Sequence, residues 1–164
     1  MASILMVASE ALPFIKTGGL ADVVGSLPQA LKQKGHEVKI VIPLYKKIWD
    51  KHQNDLYFCC EYSVSINYHE VPVRVYSATV DDVAYFFIQH QGYFERDTLY
   101  GYEDDGERFA YFQKAVIEML NQLNYWPNII HCHDWQTGMI PCMIKETHDS
   151  DPRYNAIRFV YTIH

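Results

Sequence analysis

The sequence predicts an α/β protein, a Rossmann-like open parallel sheet carrying an antiparallel β insertion. Three observations predict it. A continuously apolar run at 3–8 reads as a strand buried on both faces, the pattern of a parallel sheet, and further strands follow at 38–42 and 129–132. Amphipathic helical stretches alternate with such runs, giving strand–helix–strand units with right-handed crossovers. Between the second and third runs, residues 57–89 are rich in Tyr, Val and Phe and partly alternate, as antiparallel strands do.

Each element has its own signal. The run Ser3-Ile4-Leu5-Met6-Val7-Ala8 opens the chain as a buried strand, and Pro13, Gly18 and Gly19 punctuate the loop behind it. Leu20, Val23, Val24, Leu27 and Leu31 then recur at helical spacing. Pro28 should bend that helix and Gly35 should stop it. Residues 38–42 form the second strand, ended by Pro43. Strands at 57–68, 72–80 and 83–89 are joined by tight turns such as Val80-Asp81-Asp82. Residues 90–106 read as a long loop, and loops of that length usually carry function. Tyr93, Phe94, Tyr100 and Tyr102, with Phe109 just beyond, make it aromatic. A helix at 107–123 follows, with Phe109, Phe112, Val116, Met119, Leu120 and Leu123 on one core-facing stripe. Pro127-Asn128 leads into the strand at 129–132, then a helix over 136–145 and a last strand at 157–163. No repeat, low-complexity segment or linker divides the chain, so residues 1–164 read as one domain.

Composition excludes several classes. Hydrophobic residues make up 49% and charged residues 21%, which excludes a disordered chain. Fourteen basic residues against 20 acidic ones give a net charge of −6, which argues against a general nucleic-acid binder. The basic share lies early: residues 1–57 hold seven Lys and five acids, whereas 58–150 hold five basic groups and 14 acids. No apolar run approaches the roughly 18 residues of a membrane span. The start, MASILMVASEALPFIK, has no basic leader or clear cleavage site and is not read as a secretory signal. Cys59, Cys60, Cys132 and Cys142 show neither framework spacing nor a CxxC pair, so reduced thiols in a cytoplasmic protein are expected. The sequence stops at the apolar run FVYTIH, and a fragment of a longer protein is expected.

Two runs carry the chemistry. In Lys16-Thr17-Gly18-Gly19-Leu20-Ala21-Asp22 the glycines allow close backbone approach. The N–H groups of a starting helix favour an anion there, and Lys16 adds positive charge. A diphosphate contact suits this run, and so does a tight turn with no ligand; it is neither GxGxxG nor a Walker sequence. The second run, His131-Cys132-His133-Asp134-Trp135, sits at the carboxyl end of a strand, where open α/β sheets bind ligands. Alternation puts His131 and His133 on one face and Cys132 on the other. Asp134 and His133 suit sugar hydroxyls, with Trp135 as a packing surface for a sugar ring. Zinc is the alternative, but no second cluster supplies further ligands; His131 also reads as a satisfied core histidine. Tyr100 in the aromatic loop offers a flat face and a hydroxyl, which suits carbohydrate. Asp104-Asp105 resembles a catalytic carboxylate pair but reads more simply as solvated loop, and no GxSxG nucleophile elbow is present.

Four stretches in order resemble the N-terminal signatures of bacterial glycogen synthases and plant starch synthases. They are the run from Lys16 to Pro28, Leu99-Tyr100-Gly101 with Glu107-Arg108-Phe109, His131-Cys132-His133-Asp134-Trp135-Gln136-Thr137, and Tyr161-Thr162-Ile163-His164. The resemblance implies the N-terminal half of a two-domain glycosyltransferase of the GT-B architecture. Its implied reaction moves glucose from ADP-glucose to the non-reducing end of an α-1,4-glucan (glycogen or a maltooligosaccharide), with retention of configuration. A C-terminal domain outside this sequence is implied to hold most of the nucleotide and a key glutamate, so the segment alone is expected to be inactive. By the same resemblance Lys16 binds ADP-glucose, Gly18 and Gly19 lie near its diphosphate, and His164 contacts the transferred glucose. Asp134 and Tyr100 hold sugar hydroxyls, and Asp22 and Glu10 line the same cleft. No cofactor or metal is implied. Cys132 fills a slot often held by a small residue such as Ala, and the family's Asn after the final His lies beyond residue 164. Three readings compete: a related transferase using another donor, such as UDP-glucose or a sucrose-related sugar, a glucan-binding module without catalysis, and a zinc hydrolase built on His131 and His133.

Overall fold

The computed structural model describes residues 1–164. Its elements in chain order are β1 (Ser3–Val7), α1 (Gly19–Gln33), β2 (Glu37–Pro43), α2 (Lys46–His52), β3 (Tyr57–Ile66), β4 (His69–Val80) and β5 (Val83–Gln89). Then come α3 (Gln91–Phe94), α4 (Asp105–Gln122), β6 (Ile129–His133), α5 (Ile140–His148), α6 (Pro152–Asn155) and β7 (Arg158–Thr162). All seven strands join one sheet in the order β3-β4-β5-β2-β1-β6-β7.

β1 lies near the middle and pairs in parallel with β2 and with β6, Leu5 facing Lys39 on one side and Ile130 on the other. β5 and β7 extend the parallel set outward. Leu5, Met6 and Val7 are fully buried, as expected for a strand covered on both faces. The expected antiparallel insertion is part of this same sheet: β3, β4 and β5 form an antiparallel meander whose last strand docks in parallel against β2. Asp81 and Asp82, at φ of 49° and 59°, close the β4–β5 hairpin with the double left-handed turn that suits strand twist. The chain steps one way from β1 to β2 and the other way from β5 to β6. Right-handed crossovers therefore place α1 and α4 on opposite faces. On α4 the stripe Phe109, Phe112, Val116, Met119 and Leu120 is buried as expected, with Leu123 at its edge partly buried.

Several boundaries differ from expectation. The 90–106 stretch contains the short α3, and α4 begins at Asp105. The helix expected from 136 starts at Ile140, because Thr137 first closes a turn onto Asp134. The strand expected at 72–80 begins at His69, and α2 and α6 are additional. α1 continues through Pro28, whose ring is buried; lacking an N–H, the proline cannot donate to the Val24 carbonyl one turn back.

Gly25 on α1 sits against the loop after β1. A Cβ there would lie 2.8 Å from Leu12 Cβ and 2.9 Å from the Leu12 carbonyl oxygen. That carbonyl also accepts a hydrogen bond from the Tyr85 hydroxyl, so it is tethered from both sides. Gly25→Ala is expected to destabilise the fold by about 1–3 kcal/mol through overpacking, read as a lowered midpoint in thermal or urea unfolding.

Candidate active site

β1 and β6 are hydrogen-bonded neighbours, but their outgoing loops part, one toward α1 and β2, the other toward β7. The gap between them is the topological switch point of the sheet. An open cleft of about 500 Å³ occupies it, walled by Glu10, Gly18 and Gly19 on one side and by Tyr100, Gln136, Asp134 and His164 on the other.

The first wall is built on a buried carboxylate. Glu10 is only 3% exposed. Its Oε2 accepts hydrogen bonds from the Thr17 backbone N–H at 2.6 Å and the Thr17 hydroxyl at 2.8 Å, which folds the glycine loop back over β1. A Cβ on residue 18 would stand 3.8 Å from Glu10 Oε1. Gly18 is the N-cap of α1 and supplies no side-chain cap, so the first-turn N–H groups are left for a ligand or water. Lys16 sits just before this wall, its ammonium bonded to both carboxylate oxygens of Asp22 at 2.7 Å. Asp22 borders the adjoining groove, beside Leu12, Pro13 and Tyr85.

Tyr100 is fixed from below. Its hydroxyl meets Ser9 Oγ at 2.7 Å. Burial pushes the phenol up to about 12, so it remains a neutral hydrogen-bonding group. Arg108, fully buried on α4, donates to the carbonyl of Leu99 at 3.0 Å and to Asp105 at 2.8 Å. The rings of Phe94, Tyr102 and Phe109 surround its guanidinium. Arg108 thus anchors the backbone directly before Tyr100.

The second wall hangs from the end of β6. Asp134 takes a left-handed conformation, φ 59°, a turn that Asp tolerates better than most residues. Its N–H donates to the Thr162 carbonyl at 3.0 Å, and its Oδ1 accepts the His164 backbone N–H at 2.6 Å. The His164 ring meets His133, Nε2 to Nδ1, at 2.9 Å. His131 and His133 do share a face, stacked 4.0 Å apart, and His131 Nε2 bonds Thr162 Oγ1 at 2.8 Å. Burial above all, then the neighbouring His131 and His164, pushes His133 down to about 3, and His131 is lowered the same way. Both are neutral imidazoles at pH 7. No three His, Cys, Asp or Glu side chains gather as metal ligands.

Of the residues singled out in the sequence, Glu10, Gly18, Gly19, Tyr100, Asp134 and His164 meet at the cleft. Lys16 and Asp22 lie beside it as an ion pair. Trp135 is exposed but packs edge-on against Phe109 at 5.3 Å, off the cleft wall. His133 is fully buried beneath His164 and does not reach the surface. Gln136, which the sequence offers only as part of a matching stretch, also lies on the wall, with a buried Oε1 that has no partner.

A family model described as the starch synthase catalytic domain matches residues 3–164. The chain belongs to that family. A glycogen synthase of Desulforamulus reducens is 42% identical over 161 residues, 98% of this chain and 34% of the relative. One from Clostridium beijerinckii is 46% identical over 162 residues, with the same coverage. Among solved structures, the catalytic domain of starch synthase IV from Arabidopsis thaliana, bound to ADP and acarbose, superposes with a TM-score of 0.87. It is 33% identical and covers 99% of this chain and 34% of that one. The chain therefore spans about a third of the length of these starch synthase family relatives.

The neutral His133 makes stability depend on pH. Its folded value lies below the ordinary 6.5, so at acid pH the unfolded chain takes up a proton that the folded chain refuses. Stability from this residue is complete above about 6.5 and is lost as pH falls toward 3. The loss amounts to at most about 1.4 kcal/mol per pH unit. Urea unfolding at about pH 7.5 and about pH 5.5 should show a steeper fall for the unsubstituted chain than for His133→Phe.

Proposed function

We propose that this chain is the N-terminal domain of an ADP-glucose-dependent glycogen or starch synthase. That enzyme transfers glucose, with retention, to the non-reducing end of an α-1,4-glucan. The observation that carries the proposal is the cleft at the β1/β6 switch point. There an uncapped helix start with Lys16 beside it faces Asp134 and His164. A donor diphosphate fits against Gly18, Gly19 and the first-turn N–H groups of α1, where backbone dipoles and the Lys16 ammonium balance its charge. The anomeric C–O bond to the diphosphate breaks and a new C–O bond forms to the glucan hydroxyl, whose proton leaves with the products. Charge on the departing diphosphate is met by the helix start and Lys16, and the glucosyl group by the oriented polar atoms of Asp134 and His164. Tyr100 holds sugar hydroxyls, and the exposed face of Trp135 offers a ring-packing surface for the glucan beyond the cleft. No metal or cofactor is required by this arrangement. The ADP bound by the Arabidopsis relative supports a nucleoside diphosphate donor.

In this reading a second domain faces the cleft and reads the nucleotide base. The four cysteines are all free, which supports a reducing, cytoplasmic setting. No helix is long and apolar enough to cross a membrane.

The test is glucosyl transfer to glycogen by the full-length chain containing this segment, with ADP-glucose and UDP-glucose in parallel. Transfer from ADP-glucose alone supports the proposal; transfer from UDP-glucose alone reassigns the donor. Transfer from neither, with glucan still bound, leaves a glucan-binding module. Lys16→Ala and Asp134→Asn should each lower kcat/KM about 100-fold or more, the scale of losing one charge-stabilising contact in a transition state. Unchanged turnover in Lys16→Ala would remove the diphosphate role of that residue.

A further inference from the structure

We infer that His133 is a positioning residue: its buried Nδ1–H donates to His164 Nε2 and fixes His164 in the tautomer that carries its own proton on Nδ1. The inference deepens the transferase reading above, and its catalytic consequence rests on that reading.

The two ring nitrogens stand 2.9 Å apart, and the rings are tilted by only 25°. At that distance the two rings share one proton along the contact, because two N–H groups would collide and two bare nitrogens would repel. Only two arrangements are therefore open. In one, His133 Nδ1 donates, His133 Nε2 is a bare lone pair, and His164 has its proton on Nδ1. In the other, His164 Nε2 donates, and His133 must carry its proton on Nε2. That nitrogen is buried and has no hydrogen-bond partner. The nearest ring, His131, has its own Nε2 committed to Thr162 Oγ1. The second arrangement thus strands a buried N–H donor, whereas the first leaves only an unfilled lone pair. Orphaned buried donors are the rarer and costlier case.

The neighbouring residue completes the hold. Asp134 Oδ1 grips the His164 backbone N–H at 2.6 Å while His133 grips the ring. Residues 133 and 134 thus fix both the main chain and the tautomer of His164. Both are carried by the end of β6, where His133 is in register with Thr162 of β7. The nitrogen of His164 left for a ligand is then a donor, suited to a sugar oxygen and unable to accept from a hydroxyl proton.

The full-length protein labelled with 15N-histidine reads this directly, since long-range proton–nitrogen spectra distinguish protonated from bare ring nitrogens. His164, assigned by the loss of its signals in His164→Gln, is expected to show a protonated Nδ1 and a bare Nε2. His133→Phe, which keeps a ring in the same buried slot, should release His164 into exchange between tautomers. His133→Asn, whose amide stands close to the place of Nδ1, should retain the Nδ1-protonated form. With ADP-glucose and glycogen, His133→Phe should lower kcat roughly tenfold, with KM for glucan within about twofold, and His133→Asn should stay within about threefold of the unsubstituted enzyme. A proton on His164 Nε2, or a His164 tautomer indifferent to His133→Phe, would overturn the inference. So would kcat unchanged in a folded His133→Phe. If no donor supports transfer at all, the transferase reading fails, while the spectra still decide what His133 does to His164.

Discussion

The cleft depends on the parallel pairing of β1 with β2 on one side and β6 on the other. Parallel strands end at one edge of a sheet, so the loops that follow β1 and β6 must emerge side by side. The crossovers then carry them apart, and the space between is left unfilled by geometry alone. Nothing at this edge has to be hollowed out by strain. The packed part of the molecule lies below it, where β1 is sealed on both faces. Any slip of β1 by one residue would turn its side chains over and misplace both loops at once.

Around that opening, four polar groups share one pattern: each is tied to the backbone or ring of a residue on a loop. Glu10 holds Thr17, Arg108 holds Leu99, Asp134 holds the His164 main chain, and His133 meets its ring. Buried charges are weak stabilisers, because desolvation offsets much of what pairing returns. Arg108 shows the tension most clearly, with Nε and Nη2 buried and unpartnered and only one acidic partner. What these groups supply is definition: each removes freedom from a segment that, as a surface loop, would otherwise wander.

Local patterns in the sequence were enough for the elements whose cues lie within a few residues. The apolar run at 3–8, the Asp-Asp turn and the stripe on α4 each need only short-range periodicity. The glycine loop was legible as a helix start for the same reason. The pairing of β5 with β2 was not, because a strand's alternation does not say which distant strand lies beside it. α2 was hidden because KKIWDKH is short and mostly polar, with Ile48 its one buried residue. At the site, alternation correctly put His131 and His133 on one face, but which of them would be sealed depended on the arrival of β7 and His164. Trp135 offered itself as part of the cleft, yet its edge went to Phe109 on a helix more than twenty residues earlier in the chain. Arg108, quoted in the sequence only as part of a matching stretch, owes its importance to burial, which no local pattern shows.

The ion pair between Lys16 and Asp22 gives the cleft a resting state in which its cation is already neutralised. An incoming anion does not meet a bare charge; it competes with a carboxylate that grips the ammonium through both oxygens. Association there is an exchange of counter-ions, and little long-range steering comes from Lys16 itself. The Lys16 and Asp22 side chains are 46% and 50% exposed, so water takes up Asp22 when an anion takes Lys16, and the pair is a shallow latch rather than a barrier to entry.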